Sequence, residues 1–151
     1  MAFLTINGTE HEAKFNFKFS KLADEKYGTE DEKGKKSNGF HNVYMGLLQA
    51  SNESLVQFWD CGLNHLKGKD KPSLEAIEDA IAERIEEDGD SEPMLKEAYQ
   101  AIDQSGFFKQ QSKKFWKNIE LMKSTGKTEE EKDRNQKIYE MLIESKKELA
   151  A

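Results

Sequence analysis

The residues best suited to chemistry are thinly spread. His11, His41 and His65 stand apart, without the HExxH or CxxC spacing that builds a zinc site. Cys61 and His65 fall at i, i+4 on one predicted helix, where side chains can touch. That sketches a thiolate–imidazole pair, though a half-buried structural cysteine is the simpler expectation. Asp88, Gly89, Asp90 and Glu92 resemble the start of a calcium loop. Such a loop needs glycine at its sixth place and glutamate at its twelfth, where this chain has Pro93 and Tyr99. Gly126-Lys127-Thr128 matches the end of a phosphate-binding loop, but the glycine required five places earlier is Leu121 and no strand precedes it. No acid, base, nucleophile or metal set converges. No catalytic residue, metal or cofactor is therefore expected, and the chain reads as a binding protein rather than an enzyme.

The segment 107–123 is the strongest binding candidate. It interleaves Phe107, Phe108, Phe115, Trp116 and Ile119 with Lys109, Lys113, Lys114, Lys117 and Lys123. Three roles fit this pattern: a helix completing the core, a helix docking into a partner's groove, or a nucleic-acid contact with lysines on phosphate and aromatics under bases. The segment has no arginine and follows a more strongly charged acidic one, which argues against nucleic acid. Residues 74–103 carry eleven acids and two bases, and residues 104–128 carry six lysines and one acid. These opposite charges can neutralise one another within the fold or between subunits. The candidate partner interface comprises Phe15, Phe17, Phe107, Phe108, Phe115, Trp116 and Ile119. The alternative function is a small nucleic-acid-associated regulator using the basic helix 104–123.

These residues must be positioned by a modest core. Only 36% of the 151 residues are hydrophobic and 34% are charged, so apolar side chains must be gathered into stripes. Aromatics make up 10% of the chain, more than disordered chains carry. A single cysteine allows no intrachain disulfide. No signal-like leader and no membrane-length apolar stretch is present. The cytoplasm is the expected location, which for a viral protein would mean the host cytoplasm, with no membrane partner.

Asn7-Gly8 is a strong two-residue hairpin signal. It pairs Ile6 with Thr9 and Leu4 with His11, and Ala13, Phe15 and Phe17 continue the apolar face. Asn16 is a possible cap for a helix bearing Phe19, Leu22, Ala23 and Tyr27, and residues 29–38 read as a loop. Phe40, Val43, Tyr44, Leu47 and Leu48 form the cleanest amphipathic stripe, with Asn38 as its cap. Further stripes are Leu55/Phe58/Trp59/Leu63/Leu66, Leu74/Ile77/Ile81/Ile85 and Leu95/Ala98/Tyr99/Ile102. Ser105-Gly106 breaks or kinks the chain before the basic segment. Thr128 and Glu131 form a capping box for a last helix with a thin stripe of Ile138, Met141, Leu142 and Leu149. The expected fold is α+β and predominantly α-helical, an N-terminal β-hairpin followed by about six helices. Residues 1–123 form the domain and 124–151 a C-terminal helical extension.

The order of these features resembles a known family. LTINGTEHEAKFNFKFSKLADEKYG, residues 4–28, is similar to the opening of the tail assembly chaperones of long-tailed phages and prophages of Gram-positive bacteria. DGDSEPMLKEAYQAIDQSGFFKQQSKKF, residues 88–115, resembles that family's closing stretch, in which a helix ends before a Gly-Phe-Phe-Lys step. The resemblance covers roughly 4–116. It implies a chaperone that binds the tape-measure protein, helps bring tail tube protein subunits around it, self-associates and is absent from the finished virion. It also implies a longer product made by ribosomal frameshifting, of which this chain would be the short form. Lys113-Lys114 and Lys146-Lys147 are places where an A-rich slippery run would fit.

Overall fold

The computed structural model describes residues 1–151. Asn7 and Gly8 both take positive φ, 51° and 82°, as a type I′ turn requires. They join β1 (Phe3–Ile6) to β2 (Thr9–Glu12) in the expected register, Ile6 opposite Thr9 and Leu4 opposite His11. The alternation buries Ala2, Leu4, Ile6 and Ala13 on one face. β2 stops at Glu12, so only Ala13 extends this face. Beyond it the Lys14 amide donates to the Gly62 carbonyl (2.9 Å) and leads the chain into a helix.

Asn16 caps that helix, α1 (Phe17–Tyr27), its side-chain oxygen accepting from the Lys18 and Phe19 amides at 3.1 Å each. Residues 29–38, expected as a loop, contain a two-rung ribbon of β3 (Thr29–Glu30) and β4 (Lys36–Ser37). Asn38 then takes a left-handed conformation (φ 65°), which turns its side chain away from capping α2 (Gly39–Leu48). The Asp24 carboxylate does so instead, accepting from the Gly39 amide at 2.9 Å. A β-carbon at residue 39 would collide with the backbone of Ala23 and Asp24; glycine there lets α1 and α2 cross in contact.

α3 (Asn52–Gly62) ends earlier than its stripe suggested, Leu63 to Leu66 continuing as turns before a 3-10 turn at Gly68–Asp70. α4 (Leu74–Asp88) is capped by the Ser73 hydroxyl and stopped by left-handed Gly89. α5 (Glu92–Gln104), α6 (Lys109–Met122) and α7 (Glu129–Ala150) complete the chain. There are seven α-helices where about six were expected, because Ser105-Gly106 separates α5 from α6 completely.

One apolar core joins these elements. α2 crosses α1 and packs on α3 and α5; α4 lies on α3 and β1; α6 lies on α2, α5 and α7. Phe19, Val43, Tyr44, Leu47, Leu55, Phe58, Leu63, Ile77 and Ile102 are fully enclosed. Burying a large apolar side chain contributes about 1.5–3 kcal/mol, so α2, buried at five of its ten residues, among them Val43, Tyr44, Leu47 and Leu48, is the pillar of the fold. α7 is seated rather than free: Leu142 and Leu149 are buried and the Gln100 amide donates to the Leu149 carbonyl at 2.8 Å. Its capping box forms with one variation. The Glu131 amide donates to the Thr128 hydroxyl, but the Glu131 carboxylate accepts from the Lys127 amide, one residue before the cap.

Candidate partner interface

The two phenylalanines of the Gly-Phe-Phe-Lys step point in different directions. Ser105 ends α5 in extended conformation, and its hydroxyl accepts from the Phe108 amide at 3.2 Å. This brings the Phe108 ring inward, where it is 1% exposed, stacked on Phe40 at 4.7 Å and edge-on to Phe19 at 5.2 Å. Phe107 is left at the rim. Its ring meets Phe17 edge-on at 5.1 Å, and Phe17, the first residue of α1, is 71% exposed. The Asn16 cap fixes where Phe17 stands.

Beside this pair opens a cleft of about 390 Å³ with a mixed lining, Met1, Ala13, Phe15, Ala101 and Phe107 together with Glu12, Lys14, Gln104, Ser105 and Gly106. Phe15 forms its inner wall, in contact with Phe19, Phe58 and Phe108. The aromatic rings among these polar groups leave apolar patches that water solvates poorly, and such patches can take a partner's side chain.

The remaining candidate residues serve the protein's own interior. Phe115 and Ile119 are buried, and Phe115 packs on Tyr44 at 4.9 Å and His41 at 5.1 Å. Trp116 is half-buried: its indole N–H donates to the Tyr44 hydroxyl at 2.8 Å, and Lys146 Nζ sits 4.5 Å over its ring. In this fold Phe108, Phe115 and Ile119 have no surface to offer a partner. The structure brings Phe15, Phe17 and Phe107 together at one cleft and places Trp116 in the contact between α6 and α7.

Two polar clusters escaped the sequence analysis. The Tyr44 hydroxyl donates to Asp103 (2.6 Å), which also accepts from Ser112 (2.5 Å), with the Tyr99 hydroxyl 3.0 Å from that of Tyr44. Burial, then the bond to Asp103, pushes the Tyr44 phenol well above its usual range, and burial pushes Tyr99 up to about 12. Both remain neutral and tie α2, α5 and α6 together. A tyrosine in the middle of an apolar stripe was the available signal, since a buried phenol needs a partner.

Asp60 is the second centre. Its buried carboxylate accepts from Lys26 (2.6 Å) and Tyr27 (2.7 Å) and pairs with Lys71 at 3.0 Å. Burial alone would raise its pKa, but the bonds from Lys26, Tyr27 and Lys71 together hold it below the usual carboxylate range. Nothing in the spacing around Asp60 announced this, because its partners lie 34, 33 and 11 residues away. Cys61 next to it is buried, and burial followed by the Asp60 charge pushes its thiol up to about 12. His65 turns elsewhere, donating through Nδ1 to the Gly62 carbonyl at 3.1 Å. The sketched thiolate–imidazole pair therefore does not form. No three His, Cys, Asp or Glu side chains converge on a point where a metal would be held, and no helix is long and apolar enough to cross a membrane.

Comparison with known families decides what such a fold belongs to. The model of the phage tail assembly chaperone protein family, TAC, matches residues 3–117. The chain belongs to that family. Comparison with curated proteins and with solved structures gives no match. The match runs from the hairpin to α6 and includes both Phe17 and Phe107, so every residue of the cleft of this tail assembly chaperone except Met1 lies within the family region. α7 lies outside it and packs onto it. Membership indicates work as a partner for tail proteins and suggests a non-enzymatic role.

Proposed function

We propose that this chain binds the tape-measure protein of its phage during tail assembly, helps recruit tail tube subunits around it, and leaves before the virion is complete. The observation that carries the reading is the Phe17–Phe107 pair at the rim of a cleft walled by Phe15, on a chain whose family works in tail assembly. A tape-measure protein is long and helical, with apolar stripes that need cover until the tube encloses them. An amphipathic helix can lay one apolar side chain into the cleft and rest its neighbours on the two rings. Such capture needs no reacting group. It needs a firmly held aromatic surface, which the Asn16 cap, the half-buried Phe15 and the buried Phe108 supply. We further propose that α7 and the linker before it, 124–151, are an appended element seated on this core, and that assembly takes place in the host cytoplasm.

Co-expression tests the reading. With the chaperone present, a tape-measure segment stays soluble and co-purifies with it. A segment that aggregates alike with and without the chaperone contradicts the proposal.

A further inference from the structure

The outer edge of β1 still carries main-chain hydrogen-bonding groups. In a hairpin closed by a two-residue turn, alternate residues point their amide and carbonyl away from the partner strand. With Ile6 paired to Thr9, those residues of β1 are Phe3 and Thr5. Both outward groups of Phe3 are taken, but by side chains. The Phe3 amide donates to Glu97 Oε1 at 2.7 Å, and Arg84 donates to the Phe3 carbonyl at 3.0 Å. Arg84 also holds Glu97 at 2.5 Å. Together the two side chains present one acceptor and one donor, as a residue of a neighbouring strand would. Thr5, exposed and two places on, has no such stand-in.

This edge borders a groove of about 710 Å³ between the hairpin and α4, whose lining includes Leu4, Thr5, Ala80, Glu83, Arg84 and Glu87. A smaller cleft continues it past Thr5 and Asn7 to Glu75, Ala76 and Asp79. Strand and helix thus run side by side in opposite senses, Phe3 beside Arg84 and Asn7 towards Glu75. The groove is acidic: Glu10, Glu75, Asp79, Glu83 and Glu87 have no ionic partner. No ion pair joins α4 to α6 either, so the acidic and basic helices do not neutralise one another within the chain. Glu75, Asp79, Glu83 and Glu87 recur at every fourth residue of α4, about 6 Å apart along its axis. Alternate side chains of an extended strand recur about every 6.5–7 Å. A strand laid along β1 with a cation at every second place matches that spacing.

We propose that the outer edge of β1 receives, by strand addition, an extended segment of another protein that carries lysine or arginine at alternate positions. Main-chain bonds to Phe3 and Thr5 hold the segment, and the acids of α4 select its charge. The Arg84–Glu97 pair occupies the Phe3 position until the segment displaces it, and so shields the edge from indiscriminate pairing. Groove and aromatic cleft share no residue, so the inference goes beyond the tape-measure reading and does not rest on it.

Nuclear magnetic resonance titration of the isotope-labelled full chain tests it, with a hexapeptide alternating lysine and valine as the probe. The Thr5 amide signal moves, and its exchange with solvent slows at saturation. The same peptide with its backbone amides methylated, equal in charge, binds about tenfold or more weakly; so does the parent peptide towards the Asp79→Lys/Glu83→Lys variant. The Arg84→Ala/Glu97→Ala variant, unchanged in net charge, binds the parent peptide several-fold more tightly, because the Phe3 position is then open. Circular dichroism checks that both variants fold. Equal binding of the parent and methylated peptides would mean attraction by charge alone and overturns the inference. So does a Thr5 amide that the peptide leaves unmoved, an Arg84→Ala/Glu97→Ala chain that binds no tighter, or an edge that pairs with a second copy in place of the peptide.

Discussion

The Gly-Phe-Phe-Lys step places two adjacent phenylalanines in opposite roles, and separate replacement distinguishes them. Phe108 is 1% exposed and touches Phe15, Phe19, Phe40 and Phe107. Truncating such a ring costs about 3–5 kcal/mol, from lost burial and the cavity left behind. At about 2–4 °C per kcal/mol for a domain of this size, Phe108→Ala should melt roughly 6–20 °C below the wild type. Phe107 lies at the rim, and Phe17 is mostly in water. Phe17→Ala/Phe107→Ala should lose only about 1–2 kcal/mol, chiefly their mutual edge-to-face contact and partial burial. Capture of a tape-measure segment should show the reverse order. Two aromatic anchors of about 1–2 kcal/mol each make the double variant bind roughly 30-fold or more weakly, while Phe108→Ala, measured well below its melting point, captures close to normally. Thermal melts by circular dichroism, paired with titration of a labelled segment, read both quantities. A double variant that binds normally, or a Phe108→Ala chain as stable as the wild type, would refute this division of roles.

Other outcomes follow from the two buried groups around α3. Asp60→Ala strands Lys26 and Lys71 and should destabilise the fold by about 2–4 kcal/mol near neutral pH, less than a fully buried pair because the lysines are partly in water. The Asp60 carboxyl has a lowered folded pKa, so its contribution is fully present above the unfolded value near 3.8 and is lost as pH falls through the folded one. The gap in melting temperature between wild type and Asp60→Ala should thus hold from pH 7 to about 4.5 and narrow only below that; a gap already closed at about pH 5 would contradict the assignment. Cys61, its thiol raised to about 12 by burial and the Asp60 charge, should resist iodoacetamide in the folded chain and react once it is unfolded. Rapid alkylation of the native protein, read by mass spectrometry, would count against a closed α3.

How much of this was legible in the sequence depended on the range of the interaction. The Asn7-Gly8 turn fixes its own register, because positive φ at two positions is a local demand. The α2 stripe and the Asn16 and Thr128 caps are local too, and each forms. Asn38 misled because its left-handed backbone, also a local preference of asparagine, competes with capping, and Asp24, fourteen residues earlier, takes the role. The aromatic candidates were half legible. Composition identified Phe107, Phe108, Phe115 and Trp116 as important, but their division between core and rim depends on where Ser105 turns the chain. Asp60 was silent because its partners come from α1 and from the turn before α4. The charge separation of α4 and α6 was visible as composition, and only the packing shows that the two never meet.

The central claim is that tape-measure segments bind at the cleft between the hairpin, the start of α1 and the α5–α6 turn. Hydrogen exchange of the full chain, with and without a saturating tape-measure segment, tests it most directly. Added protection should be confined to residues 13–18 and 104–108, with α4 unchanged. Protection that falls elsewhere while those two segments exchange as in the free protein would contradict it.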